Sequence, residues 1–173
     1  ELLWKGKVLW GMMVFDTLKA FDYLAAREDV RADSIVSMGI SMGGTMALWS
    51  TALEPRIRAC IDLCSLAEYE SLITHQNLDR HGIYYYVPAL LKHFSAEELN
   101  QLTLPRPRLC VVGRHDGLTP IEGVHGLDQA LRSQADADAH PEGWQLLITE
   151  TGHFETEYSH QQVLSCLSGL QQA

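Results

Sequence analysis

Apolar residues follow two rhythms that alternate along this chain. Short runs that are apolar almost throughout recur at Ser34–Met38, Ile57–Leu63, Arg108–Gly113 and Trp144–Ile148. Between them, apolar residues return every three or four positions. Val14, Leu18, Phe21 and Ala25 form one such stripe and predict a helix over Met12 to Arg27. A second helix is predicted from just after Ser41 to about Leu53. It stops before Pro55, because a proline pushes the preceding residue out of the α region. Gly123 to Ser133 and Glu155 to Gln171 also read as helices, with Glu1 to Gly11 as a lead-in loop and Gln134 to Gly143 as a polar loop.

Strands without polar alternation are buried on both faces. Alternating with helices, they imply βαβ units and a parallel sheet between two helical layers. The expected fold class is therefore α/β, a three-layer parallel sheet. No repeat, low-complexity tract or linker divides the chain, so residues 1–173 read as a single domain with a loop and helix insertion at about 65–101.

The first strand runs into Gly39-Ile40-Ser41-Met42-Gly43, and a helix follows directly. G-x-S-x-G at a strand-to-helix turn is the pattern of a nucleophile elbow. A serine hydroxyl attacks carbonyls only when a base takes its proton, and that base is usually a histidine oriented by a carboxylate. On a parallel sheet the chain order is Ser, then Asp or Glu, then His. Asp116 lies just past the strand ending at Val112, in Gly113-Arg114-His115-Asp116-Gly117. His153 lies just past the strand ending at Ile148, in Glu150-Thr151-Gly152-His153-Phe154. Catalytic groups in open parallel sheets gather outside the carboxyl ends of the strands, where all three candidates fall. Ser41 as nucleophile, Asp116 as acid and His153 as base are the expected catalytic set. The backbone N–H of Met42 is the expected oxyanion donor.

Blander readings exist for each residue. Ser41 could be a turn serine between permissive glycines, and Asp116-Gly117 is a turn signal by itself. Glu122 is a rival acid whose place in the first turn of a helix also suits the helix dipole. His115 adjoins Asp116, but adjacent turn residues point apart. His75, His81, His93, His125, His140 and His160 show no metal-ligand spacing and read as surface or packing residues. Trp49, Tyr69, Tyr84, Tyr85 and Tyr86 are candidate substrate contacts, although aromatic packing beneath a long loop is the simpler account of them. No H-G-G-G type motif precedes Ser41 to supply a second oxyanion donor.

Composition narrows the partners. A net charge of −9 argues against nucleic acid, which needs clustered Lys and Arg. No segment is long and apolar enough to span a membrane. Cys60, Cys64, Cys110 and Cys166 form no C-x-x-C pair and read as reduced, buried thiols, which points to a cytoplasmic setting. Because the chain begins at Glu1, a processed N-terminus stays open. No metal and no organic cofactor is expected.

Three stretches together resemble the α/β-hydrolase superfamily, in particular its dienelactone-hydrolase-like and acetyl-xylan-esterase-like bacterial members. They are Trp10 to Leu24, with Gly11, Asp16, Tyr23 and Leu24; Gly39 to Gly44; and Tyr86 to Pro120, with Val87-Pro88, Lys92-His93-Phe94, Leu104-Pro105-Arg106-Pro107 and Gly113 to Asp116. The resemblance implies a Ser41, Asp116 and His153 triad, and a small-molecule ester as substrate. It also implies a sheet of about eight strands, of which this chain carries the second half. The N-terminal half, with the strand that supplies the second oxyanion donor, has no counterpart here. The expected function is a serine esterase working through an acyl-enzyme. A peptidase or thioesterase on the same fold, or an inactive fragment acting as an interaction domain, stays open. A shortened sheet would leave Ile35 to Met38 as an exposed edge, and such edges invite pairing. A homo-oligomer covering it is therefore a further expectation.

Overall fold

The computed structural model describes residues 1–172. Four parallel strands form one sheet in the order β1 (Val36–Ile40), β2 (Ala59–Leu63), β3 (Arg108–Gly113) and β4 (Trp144–Thr149). The helices are α1 (Leu9–Ala25), α2 (Met42–Leu53), α3 (Tyr69–Thr74), α4 (Ala96–Gln101), α5 (Ile121–Ala137) and α6 (Glu157–Gln172). Every connection between paired strands carries a helix, as parallel pairing requires.

The strands sort their side chains by parity. On β3, Cys110 and Val112 face α5 and pack with Val124, Leu127, Leu131 and Ala135. Leu109 and Val111 face the other way and join Ile61, Leu63 and Val163, the last from α6. Both inner strands are buried at every residue, hence their unbroken apolar runs.

One polar group interrupts this core. Arg108 donates from Nε to Oδ2 of Asp62 at 2.7 Å and from Nη1 to Oδ1 of Asn100 at 2.6 Å, with both ion-pair side chains fully buried. Burial alone would lower the Arg108 pKa, but the Asp62 carboxylate outweighs it and the guanidinium stays charged. The guanidinium also lies over the Trp144 ring, 5.0 Å from its centre. The remaining Asp62 oxygen accepts from Ser65 Oγ at 3.0 Å. The pair thus ties β2, β3, β4, α4 and the segment after β2.

Several predicted boundaries move. Helix α1 begins at Leu9, inside the expected lead-in loop, because Trp10 falls on the same buried stripe as Val14 and Phe21. A 3-10 turn at Ala32–Ser34 delays β1, which runs two residues further than expected to Ile40. Helix α5 starts at Ile121 and continues to Ala137, into the expected polar loop, since Ala135 still faces the core. Strand β2 starts at Ala59 rather than Ile57, β4 ends at Thr149, and α6 spans Glu157–Gln172. The segment between β2 and β3 holds α3, three 3-10 turns and α4, whose N-terminus is closed by a capping box between Ser95 and Glu98.

Strand β1 stands at the sheet edge. Met38 and Ile40 share the face of Ile61 and Leu63, yet remain 48% and 44% exposed; of the β1 residues on that face, only Val36 packs against the cluster that α6 joins. The free thiols of Cys60, Cys64 and Cys110 are buried and Cys166 is half-buried. No helix among the described residues is long and apolar enough to cross a membrane.

The turn after β1 has a specific steric requirement. A β-carbon on Gly39 would collide with the backbone of Gly43, and one on Gly44 would sit 2.9 Å from Ser65 Cβ. A β-carbon on Gly43 would meet nothing within 4 Å. Gly39→Ala should therefore destabilise by about 1–3 kcal/mol through overpacking. Gly43→Ala should be neutral or stabilising by up to about 1 kcal/mol. Thermal melts of the two variants check this; equal losses would contradict it. Asp62→Ala, which strands a buried charge, should cost about 3–5 kcal/mol in urea denaturation.

Candidate functional site

Ser41 sits between the last residue of β1 and the first of α2, with φ 56° and ψ −124°. A non-glycine residue is strained there, and the strain lifts its side chain off the carboxyl edge of the sheet. The Ser41 N–H donates to the Leu63 carbonyl at 2.8 Å, which anchors the turn to β2. Met42 opens α2, and its N–H has no acceptor among the described residues, as expected for the first turn of a helix.

Asp116 and His153 come from two loops that are zipped together. Arg114 N–H donates to Thr149 O at 2.8 Å, and His115 N–H donates to Thr151 O at 2.8 Å. Glycine at 113 permits this approach, because a β-carbon there would collide with the carbonyls of Thr151 and Gly152. Asp116 is buried, and its Oδ1 accepts from the Leu118 N–H at 2.9 Å.

The three side chains meet. His153 Nδ1 lies 2.7 Å from Asp116 Oδ2, and His153 Nε2 lies 2.7 Å from Ser41 Oγ. The carboxylate can only accept, so Nδ1 carries the proton and Nε2 is left to accept from the serine hydroxyl. The rivals lie elsewhere. Glu122 is exposed, with its Oε2 3.7 Å from His75 Nε2; His115 is exposed, with its Nε2 3.6 Å from Glu150 Oε2.

A cavity of about 120 Å³ opens beside Ser41 and His153. Tyr84 and Tyr85 line it, together with Thr45, Ser65, Leu118 and Thr119. Trp49, Tyr69 and Tyr86 do not line it and instead form its backing. Tyr69 and Tyr86 pack edge-on to Tyr85 at 6.0 and 6.4 Å. Trp49 lies between Trp10 and Phe94. Burial pushes the Tyr69 hydroxyl up to about 12 and keeps Tyr85 protonated as well. Arg80 and His81, one not singled out from the sequence and the other read as surface or packing, also line the cavity. Only the fold brings their segment over the sheet edge, and no spacing in the chain signals it.

Cys64 lies against the same groups, with its Sγ, an Asp116 oxygen and a His153 nitrogen within 4.8 Å of one another. It follows the last residue of β2, at φ 53°. Burial, with the Asp116 and Glu155 charges, lifts its thiol to about 11. A protonated thiol is a poor metal ligand, and His153 already spends both ring nitrogens on Asp116 and Ser41.

Comparison with known proteins agrees with this architecture. YtaP of Bacillus subtilis (strain 168), a presumed hydrolase, is 50% identical over 156 residues, 90% of this chain and 52% of its own length. A glucuronoyl esterase from Solibacter usitatus superposes with a TM-score of 0.71 at 18% identity, covering 91% of this chain and 47% of that one. A glucuronoyl esterase from Caldicellulosiruptor kristjansonii gives 0.72 at 19% identity, covering 91% and 49%. The chain thus spans about half the length of these relatives. The model of the prolyl oligopeptidase family matches residues 5–162. With that match across most of its length and an α/β-hydrolase sheet, the chain belongs to the prolyl oligopeptidase family of α/β hydrolases.

Proposed function

We propose that this chain is the catalytic half of a serine hydrolase that cleaves small carboxylic esters through an acyl-enzyme. The observation that carries the reading is the unbroken hydrogen-bond relay from Ser41 through His153 to Asp116. His153 Nε2 takes the hydroxyl proton as Ser41 Oγ attacks the ester carbonyl. Asp116 holds the ring and stabilises the imidazolium that forms. The Met42 N–H, aligned at the start of α2, donates to the developing oxyanion. His153 then protonates the departing alkoxide, and the same nitrogen activates the water that releases the acid. Tyr84 and Tyr85 contact the acyl or alcohol group in the cavity.

Family membership favours a second reading, a peptidase. Two observations favour the ester. The cavity is well below the ~300–1,000 Å³ of pockets that enclose larger ligands. The solved structures on which this chain superposes include esterases, which agrees with an oxygen ester as the substrate. A panel of p-nitrophenyl esters, acyl-thioesters and peptide anilides should show turnover confined to the oxygen esters. Turnover of the anilides at comparable kcat/KM would favour the peptidase.

A fluorophosphonate probe should label the protein at Ser41, as read by peptide mapping; no labelling would favour the inactive-fragment reading. Ser41→Ala should lower kcat by about 10⁶-fold and Asp116→Asn by about 10⁴-fold, in steady-state assays. Esterase activity unchanged in Ser41→Ala would refute the assignment.

A further inference from the structure

One wall of the cavity beside Ser41 plays no part in the hydrolytic steps. It is built by Arg80, the last residue of the 3-10 turn begun at Leu78, and His81, which follows that turn. The Arg80 guanidinium rests against Gly117, the residue after the acid, where a β-carbon would collide with Nη1. No carboxylate among the described residues lies within ion-pair distance of the Arg80 guanidinium, which makes no hydrogen bond to any of them; only the Arg80 backbone N–H is paired, with the Asn77 carbonyl. Arg27, Arg56, Arg108, Arg114 and Arg132 each hold an Asp or Glu. Arg58, Arg106, Lys7 and Lys92 hold no carboxylate either among the described residues; what sets the exposed Arg80 apart is its place in the lining of the cavity beside Ser41.

His81 supplies a second, independent observation. Its Nε2 is buried and has no hydrogen-bond partner, while its ring stacks on Tyr85 at 4.6 Å with an interplanar angle of 21°. Burial pushes its pKa down, against the opposing effects of the neighbouring Leu118 backbone and the Asp116 charge, so the ring offers a hydrogen bond rather than a charge. Buried polar groups are almost always paired, and an orphan in a cavity wall points to a ligand atom that pairs it.

We infer that Arg80 and His81 form an anion subsite, and that the preferred substrates are short esters carrying a carboxylate a few atoms from the scissile bond. Arg80 binds the carboxylate by charge-assisted hydrogen bonds, and the His81 Nε2 pairs with a polar atom between it and the ester. The small cavity suits such a compact group, and Arg80 is the one Lys or Arg among the residues described as lining it. The substrate half of this inference rests on Ser41 being the nucleophile; the binding half does not.

The anion belongs on either side of the ester bond, and paired substrates distinguish the two. p-Nitrophenyl hemiglutarate against p-nitrophenyl butyrate places it on the acyl side. 4-Acetoxybenzoate against phenyl acetate places it on the leaving group. In Arg80→Gln, the ratio of kcat/KM for anionic over neutral ester should fall about tenfold in one pair, mostly through KM. Arg80→Lys should restore part of it. A ratio unchanged in both pairs overturns the subsite, as does an equal loss on anionic and neutral esters, which would mean that Arg80 acts on the triad loop. A second measurement needs no turnover. Monomethyl glutarate, titrated calorimetrically into Ser41→Ala, should bind about tenfold more tightly than into Ser41→Ala/Arg80→Gln; equal affinities overturn the proposal. A binding difference without any hydrolysis would keep the subsite and remove the serine mechanism.

Discussion

The buried ion pair between Asp62 and Arg108 is the interaction around which the middle of this structure is arranged. Two charges inside a core carry a desolvation cost that only good geometry and further hydrogen bonds offset. Here Asn100, Ser65 and the Trp144 ring supply those contacts from three separate segments. The pair therefore fixes β2 against β3 and also sets where the segment after β2 leaves the sheet. Ser65 both bonds Asp62 and packs against Gly44, so the same network braces the helix that Ser41 precedes.

From that base the site is assembled by close backbone approach. Gly39 lets α2 return tightly over β1, and Gly113 lets the His153 loop lie on the Asp116 loop. Each contact replaces a side chain with a neighbouring main chain, which removes slack from the loops. The relay from Ser41 to Asp116 spans residues 112 and 37 positions apart, yet both of its bonds are 2.7 Å. Such precision on loops comes from backbone hydrogen bonds between them, here Arg114 to Thr149 and His115 to Thr151.

The sheet is asymmetric in how it is covered. On one face Val163 of α6 packs with β2 and β3, Val36 of β1 and Leu147 of β4 lie against that cluster, and Met38 and Ile40 of β1 stay exposed. The curated relative YtaP is about twice as long as the stretch it shares with this chain. Half-length matches to the two esterase structures repeat that proportion. At the carboxyl end of the sheet the relay joins Ser41, His153 and Asp116, whereas Met38 and Ile40 on the β1 edge are exposed.

Much of this was legible in the chain itself. Four apolar runs, the helical stripes between them and the G-x-S-x-G turn determined a parallel α/β sheet. They also determined the order Ser41, Asp116, His153, because periodicity and turn chemistry are local properties. Boundaries were less legible. Trp10 and Ala135 extend α1 and α5 because of what they pack against, and a window of sequence holds no record of that. Arg108 opens an otherwise apolar run, and nothing local in the chain marks it as half of a buried ion pair with Asp62. Arg80 and His81 lie 39 and 40 residues beyond Ser41, in a segment without regular periodicity. Their place in the cavity depends on how α3 and the following turns cross the sheet. The sequence by itself determined which residues have the chemistry of a hydrolase. Only the tertiary structure decided which of them meet, because a 2.7 Å contact between distant loops depends on packing the whole sheet.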